Sequence, residues 1–206
     1  RLTQMSFMKN THNWLDDFKL RASIGLLGND DGVSPYSFLN TYSFGGNRII
    51  NGTMVHSLYT STVPNPELTW SKTRSQNVGF DATLLGGMLG VEFDVFYNYT
   101  YDLLFAMGGN MAPSMGGYYT TWENYGRQSS QGFEWILTHR NKFIIASKPF
   151  NYNISANMTY STNKWLRYPD SPNSMEWRKV VGTSVDAYSA WVADGLYRTE
   201  EEIDNS

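Results

Sequence analysis

The chain has 206 residues, 16 Lys plus Arg against 19 Asp plus Glu, and a formal net charge of −3. That near-neutral balance argues against a nucleic-acid surface. The absence of cysteine excludes a disulfide framework and a thiolate metal site. Mean hydropathy is −0.43, and no stretch approaches the roughly 18 apolar residues of a membrane helix.

Strict two-residue alternation predicts strands in place of helices. The first strand is expected over residues 17–27. Phe18, Leu20, Ala22, Ile24 and Leu26 line one face; Lys19, Arg21, Ser23 and Gly25 line the other. A loop rich in Gly, Asn, Ser and Tyr follows over 28–68. The second strand, 70–84, puts Val78, Phe80, Ala82 and Leu84 opposite Ser75, Asn77, Gly79, Asp81 and Thr83. Gly86-Gly87 predicts a tight turn. The third strand, 88–99, sets Leu89, Val91, Phe93, Val95, Tyr97 and Tyr99 against Gly90, Glu92, Asp94, Phe96 and Asn98.

A second long loop is expected over 100–130. The fourth strand, 131–138, alternates Phe133, Trp135 and Leu137 with Gly132, Glu134 and Ile136. A connection over 139–149 leads to the fifth strand, 150–160, with Phe150, Tyr152, Ile154, Ala156, Met158 and Tyr160 on its apolar side. After a Pro/Ser/Asn-rich loop, a shorter strand is predicted over 176–185. Connections thus alternate between long and short, as in outer-membrane barrels, whose extracellular loops are long and periplasmic turns short. The eleven-residue connection over 139–149 is long for the turn side.

Charge follows the same parity. Lys19, Arg21, Asp81, Glu92, Asp94 and Glu134 all fall on the non-apolar side. Lys72 and Arg74 break the rule, but they lie about ten residues from Leu84. A tilted strand crosses the bilayer in about 9–11 residues, so both sit at the outer rim, where a charge costs little. The pattern therefore predicts an all-β, antiparallel transmembrane β-barrel that imports rather than catalyses. A soluble β-rich carbohydrate-binding module is the alternative, because a sheet with one wet face alternates equally well. That alternative accounts less well for strand length and for aromatics near strand ends, Trp70, Tyr97, Tyr99, Tyr152 and Tyr160. A few strands in lipid would leave two open edges, which the bilayer forbids. The barrel reading therefore requires further strands in a longer parent chain.

Five blocks carry a family resemblance. Trp14-Leu15 with the run Phe18 to Gly25, then Gly28-Asn29-Asp30, resembles the "LKLRASYG…GN" strand of SusC/RagA-type TonB-dependent outer-membrane transporters. The run Pro64 to Thr73 resembles "NP-x-LTWE", with Asn77, Gly79 and Asp81 following as "N-x-G-x-D". The run Val91 to Tyr97, with Thr100 and Asp102-Leu103-Leu104, resembles "DYY…TKDLL". Gly132-Phe133-Glu134 is similar to "N-x-G-x-E", with Gln131 and Ser129 where Asn is usual. The run Val192 to Tyr197, then Glu201-Glu202-Ile203, resembles "ADGLFQSQEEI".

The resemblance implies that residues 1–206 are part of an outer-membrane β-barrel domain. This chain would be a segment of about five or six strands of a 22-stranded barrel, a width that needs a plug. The plug domain, the TonB box and the closing strands are expected outside this chain. It implies the outer membrane of a Gram-negative, Bacteroidetes-type cell, no enzyme activity and no cofactor. The implied partners are a SusD-like surface lipoprotein as lid, the TonB system through the missing N-terminal part, outer-membrane lipid, and an oligosaccharide or peptide cargo.

Candidate chemistry is sparse. Glu92, Asp94 and Glu134 could form a paired-carboxylate site, but polar residues are expected on a lumen face. Lys19 and Arg21 are expected to pair with these acids or with the plug. Asn29-Asp30-Asp31-Gly32 lacks the EF-hand spacing and reads as a loop start. His12, His56 and His139 are too scattered for a metal site. Tyr36, Tyr42, Tyr59, Tyr118, Tyr119, Trp122 and Tyr125 fall in expected extracellular loops. Their flat faces and hydrogen-bonding tips suit cargo or lid contact.

Overall fold

In the computed structural model the described residues are 13–32, 34–60, 62–107 and 120–190, with 192, 193, 195, 197 and 199–204 beyond. Five long antiparallel strands form a meander: β1 (Leu15–Asn29), β5 (Ser71–Leu84), β6 (Leu89–Ala106), β7 (Thr120–Ile145) and β8 (Lys148–Arg167). A separate hairpin, β2 (Tyr42–Ile50) and β3 (Thr53–Thr60), projects from the connection between β1 and β5. The two-residue β4 (Thr62–Val63) lies parallel to the start of β7. The described helix is a 3-10 turn, Glu176–Arg178, and one turn of α-helix, α1 (Glu200–Asp204). No described helix is long and apolar enough to cross a membrane, which says nothing of strands.

Register confirms the expected faces. The row Leu20–Phe80–Phe93–Trp135–Met158 crosses all five strands on one side. It is flanked by Phe18–Ala82–Val91–Leu137–Ala156 and by Ala22–Val78–Val95–Phe133–Tyr160. Rings contact one another within and between these rows, with Phe18–Phe80, Phe80–Phe93 and Phe93–Phe133 centroids 5.6, 5.8 and 6.2 Å apart. From Leu89 to Tyr99 the apolar side of β6 spans roughly 34 Å along the strand. At a tilt of about 40° that gives the roughly 25 Å height of a barrel's lipid-facing band.

This sheet has no second layer among the described residues. Its buried apolar side chains are Leu15, Ala82 and Met107, and none is fully enclosed. Leu20, Ile24, Val78 and Ile154 are 58, 76, 60 and 64% exposed. Such a contiguous apolar surface is not left in water by a soluble domain, so the sandwich alternative lacks its second sheet. The fold is that of a segment of an antiparallel β-barrel, its sheet unclosed. Among the described residues no strand pairs with β1 or β8 on their outer edges.

Several expected boundaries are corrected. The 28–68 segment holds the β2–β3 hairpin, turned at Asn51-Gly52 with φ of 50° and 74°. The 100–130 loop is shorter, because β6 runs on to Ala106 and β7 starts at Thr120; Trp122 and Tyr125 therefore lie in a strand. The 139–149 connection is two strand extensions closed by a two-residue turn. Phe143 pairs with Phe150, Ile145 with Lys148, and Ala146 and Ser147 take φ of 48° and 67°. Both connections at that end are thus tight, which removes the misfit in the loop alternation. No strand forms over 176–185, where the chain makes the 3-10 turn and successive tight turns.

Candidate functional site

The polar face carries a ladder of charge across four strands. The register row Lys19–Asp81–Glu92 lies beside the row Arg21–Gly79–Asp94–Glu134. Arg21 Nη2 donates to Asp94 Oδ2 at 2.6 Å and lies 2.8 Å from Asp81 Oδ1. The latter is an ion pair without hydrogen-bond alignment; Asp81 Oδ1 and Arg21 Nε are buried and lack a hydrogen bond. Lys19 Nζ approaches Asp81 Oδ2 at 3.4 Å. Glu92 and Glu134 are exposed on the same face.

Glycine makes this approach possible. A Cβ at Gly79 would lie 2.2 Å from Asp94 Oδ1 and 2.5 Å from the Phe93 carbonyl. Gly132 serves similarly under Phe96, whose ring tip would meet a Cβ at 2.8 Å. Phe96 thereby reaches across onto the neighbouring strand. Of the four acids, Asp81 and Asp94 are ion-paired with Lys19 and Arg21. Among the described residues no three metal-ligating side chains are placed to hold a metal ion.

The loop end is laced by side-chain amides. Asn124 accepts from Thr69 N at 2.9 Å and donates to the Thr69 and Asp102 carbonyls at 2.6 and 2.8 Å. Asn65 donates to the Trp122 carbonyl at 2.8 Å and accepts from Glu67 N at 3.1 Å. The Pro64 to Trp70 segment is thereby tied over the end of β6 onto β7. Trp70 packs on Gly28, where a Cβ would sit 3.6 Å from the indole. Beyond β8, Asn163 accepts from Ser184 Oγ and Val185 N at 2.6 and 2.9 Å, and Phe105, Trp165 and Tyr168 form an edge-to-face cluster. These amide clamps were missed in the sequence; the Asn65-Pro66 turn signal was their one visible trace. The Asp31 amide donates to Asn29 Oδ1 at 2.9 Å, so the Asn29 to Gly32 stretch is an Asx turn.

Of the expected loop aromatics, Tyr36, Tyr42 and Tyr59 are 69, 63 and 50% exposed. Trp122 and Tyr125 are half-buried in β7, and Tyr125 lies under the Arg167 guanidinium at 3.9 Å. Tyr118 and Tyr119 lie outside the described residues. At the opposite end, a cleft lies in the step between the 85–88 turn and the longer β7–β8 hairpin. Met88, Arg140, Lys142, Asn151 and Asn153 line it.

A family model described as "TonB dependent receptor-like, beta-barrel" matches residues 11–199. The chain belongs to the TonB-dependent receptor β-barrel family. TonB-dependent receptor P26 of Formosa agariphila is 26% identical over 216 residues, covering all of this chain and 21% of the relative. TonB-dependent receptor P3 of the same organism is 27% identical, covering 82% of this chain and 16% of the relative. The chain therefore spans about a fifth or less of the length of these curated relatives. By fold it is similar to the RagAB peptide importer in its open-open state, with a TM-score of 0.64 and 24% identity over 79% of this chain and 17% of that one. In the closed-closed state the TM-score is 0.62, with 84 and 18% covered. The TonB-dependent family and the RagA-like barrel fold inferred from the five sequence blocks are both confirmed.

Proposed function

We propose that residues 1–206 form part of the barrel wall of an outer-membrane importer, energised through TonB, whose cargo is an oligosaccharide or a peptide. One observation carries the reading. A single-layer sheet presents three successive rows of wholly apolar residues on one side and the Lys19–Arg21–Asp81–Asp94 ladder on the other. In the assembled wall the apolar side meets lipid and the ladder faces the lumen, with Glu92 and Glu134 exposed toward what fills it. Lys19 and Arg21 brace the wall by pairing with Asp81 and Asp94, and the chain does no catalysis.

The exposed Tyr36, Tyr42 and Tyr59, together with Trp122, are the residues proposed to meet cargo or a SusD-like lipoprotein lid. Peptide cargo gains support from the likeness to the RagAB importer, which transports peptide. The test is detergent extraction of the native outer membrane, affinity capture of the parent chain, and mass spectrometry of what comes with it. Recovery of a barrel several times longer than this chain, with a lipoprotein and bound peptide or glycan, is expected. A parent protein found only in the aqueous fraction would overturn the reading.

A further inference from the structure

The charges that break parity form a belt. Arg74 lies in the register row Leu26–Arg74–Tyr99–Ser129–Lys164, on the same side as the apolar rows and four residues beyond the last of them, past the mixed row Ile24–Gln76–Tyr97–Gln131. Arg74 sits over the Tyr99 ring at 6.0 Å, and Tyr99 stacks on Tyr101 at 5.7 Å. Lys72, next on that side, is neutralised by Asp102 at 2.9 Å. Arg127, one alternation beyond Ser129, is the direct cross-strand partner of Arg167. Arg74, Arg127, Lys164 and Arg167 are exposed, and none is in an ion pair among the described residues.

Arg127 and Arg167 face each other next to a register shift, with Arg167 over the Tyr125 ring at 3.9 Å; like charges opposite one another destabilise a sheet, and an anion at this end would relieve that repulsion. The tight-turn end has no such belt on that side, where Phe143, Phe150 and Tyr152 cluster instead. The belt belongs to the long-loop end, which faces outward in such barrels. It lies one mixed row past the apolar rows on the same side, where the anions within reach are those of the leaflet.

We propose that Arg74, Arg127, Lys164 and Arg167 form a binding surface for the phosphate groups of an outer-leaflet glycolipid. Arg binds phosphate through its planar fork, and the tyrosines sit at headgroup depth. This rests on the outer-membrane reading above. Lipid phosphates are favoured over an acidic protein because the belt lies on the same side as the apolar rows and is separated from them only by the mixed row Ile24–Gln76–Tyr97–Gln131.

The test uses the parent barrel purified in detergent, with native mass spectrometry of added bisphosphorylated lipid A, dephosphorylated lipid A and inorganic phosphate. For the wild type, bound bisphosphorylated lipid A is expected. In the triple variant R74Q/R127Q/K164Q its affinity should fall roughly tenfold or more, each surface cation contributing to headgroup attraction. Dephosphorylated lipid should not distinguish the two proteins, and millimolar inorganic phosphate should not displace the lipid. R140Q/K142Q, which removes cations at the other end, should bind as wild type, and R74K/R127K should retain binding if the triple variant fails to fold. Equal lipid binding by a folded triple variant would overturn the proposal, as would loss of a co-purifying acidic protein with lipid binding unchanged. A parent chain that never enters detergent would instead overturn the membrane reading itself.

Discussion

Arg21 on β1 and Asp94 on β6 meet at 2.6 Å across an intervening strand, because β5 places Gly79 between them in the same register row. The pair is a consequence of a missing side chain. Any Cβ at Gly79 would occupy the space of the Asp94 carboxylate.

Gly79→Val should therefore separate the pair and push β5 from β6. The expected cost is about 1–3 kcal/mol, the usual range for overpacking a filled site. It would be read as a lower temperature of unfolding of the detergent-solubilised parent barrel on a heat-modifiability gel. Unchanged unfolding would show that the charge ladder does not brace the wall.

Neighbouring residues on β6 should respond oppositely to the same substitution. Phe93→Arg puts a charge in the middle apolar row and should destabilise by about 2–4 kcal/mol, as on other lipid-facing barrel positions near the midplane. Glu92→Arg, one residue away on the polar face, should cost far less. Barrel assembly yield in outer-membrane fractions and urea midpoints in lipid vesicles measure both.

Asn124→Ala should release the Pro64 to Trp70 segment. It removes three hydrogen bonds that bind Thr69 and Asp102. Groups left unsatisfied cost about 1–3 kcal/mol each when buried, and here they are part-buried, so a local opening is expected before global unfolding. Hydrogen exchange at the Thr69 amide should accelerate, while exchange at the centre of β6 stays slow.

The Ala146-Ser147 turn should be improvable. Both residues have positive φ, the left-handed geometry that Asn-Gly adopts most readily in a two-residue hairpin. The double change Ala146→Asn with Ser147→Gly should stabilise the barrel by about 0.5 kcal/mol or more. A small rise in the unfolding temperature is the reading.

The faces were legible because a period of two admits only one assignment of Lys19, Arg21, Asp81, Glu92, Asp94 and Glu134 once the apolar rows are known. The ends of strands were less legible. Phe143-Ile144-Ile145 is a continuous apolar run, so alternation stopped before the strand did, and Ala146-Ser147 carries no turn signal. Asn51-Gly52 was the opposite case: a hairpin signal was present but hidden in a polar, Gly-rich stretch. Trp122 and Tyr125 looked like loop residues because their surroundings are rich in Gly and Tyr. Pairing with β6, Trp122 opposite Ala106 and Asn124 opposite Leu104, extends β7 through them.

The ion pairs themselves could not be read from the sequence. Parity places Arg21 on a face but not beside Asp94, because the distance depends on the register between three strands. The Asn124 clamp needs the same knowledge, since its partners lie 55 and 22 residues away in sequence.

The central claim is that one face of this sheet meets lipid and the other meets water. It is tested most directly by spin labels at single cysteines introduced along β6, from Leu89 to Tyr97, in the parent barrel reconstituted into lipid vesicles. The 206-residue stretch has no cysteine of its own to interfere. Power saturation should alternate residue by residue: oxygen access at Val91, Phe93 and Val95, and access of a water-soluble nickel reagent at Gly90, Glu92 and Asp94. Labels protected from both reagents on the apolar side would mean that protein covers that face, and the barrel-wall account would fail.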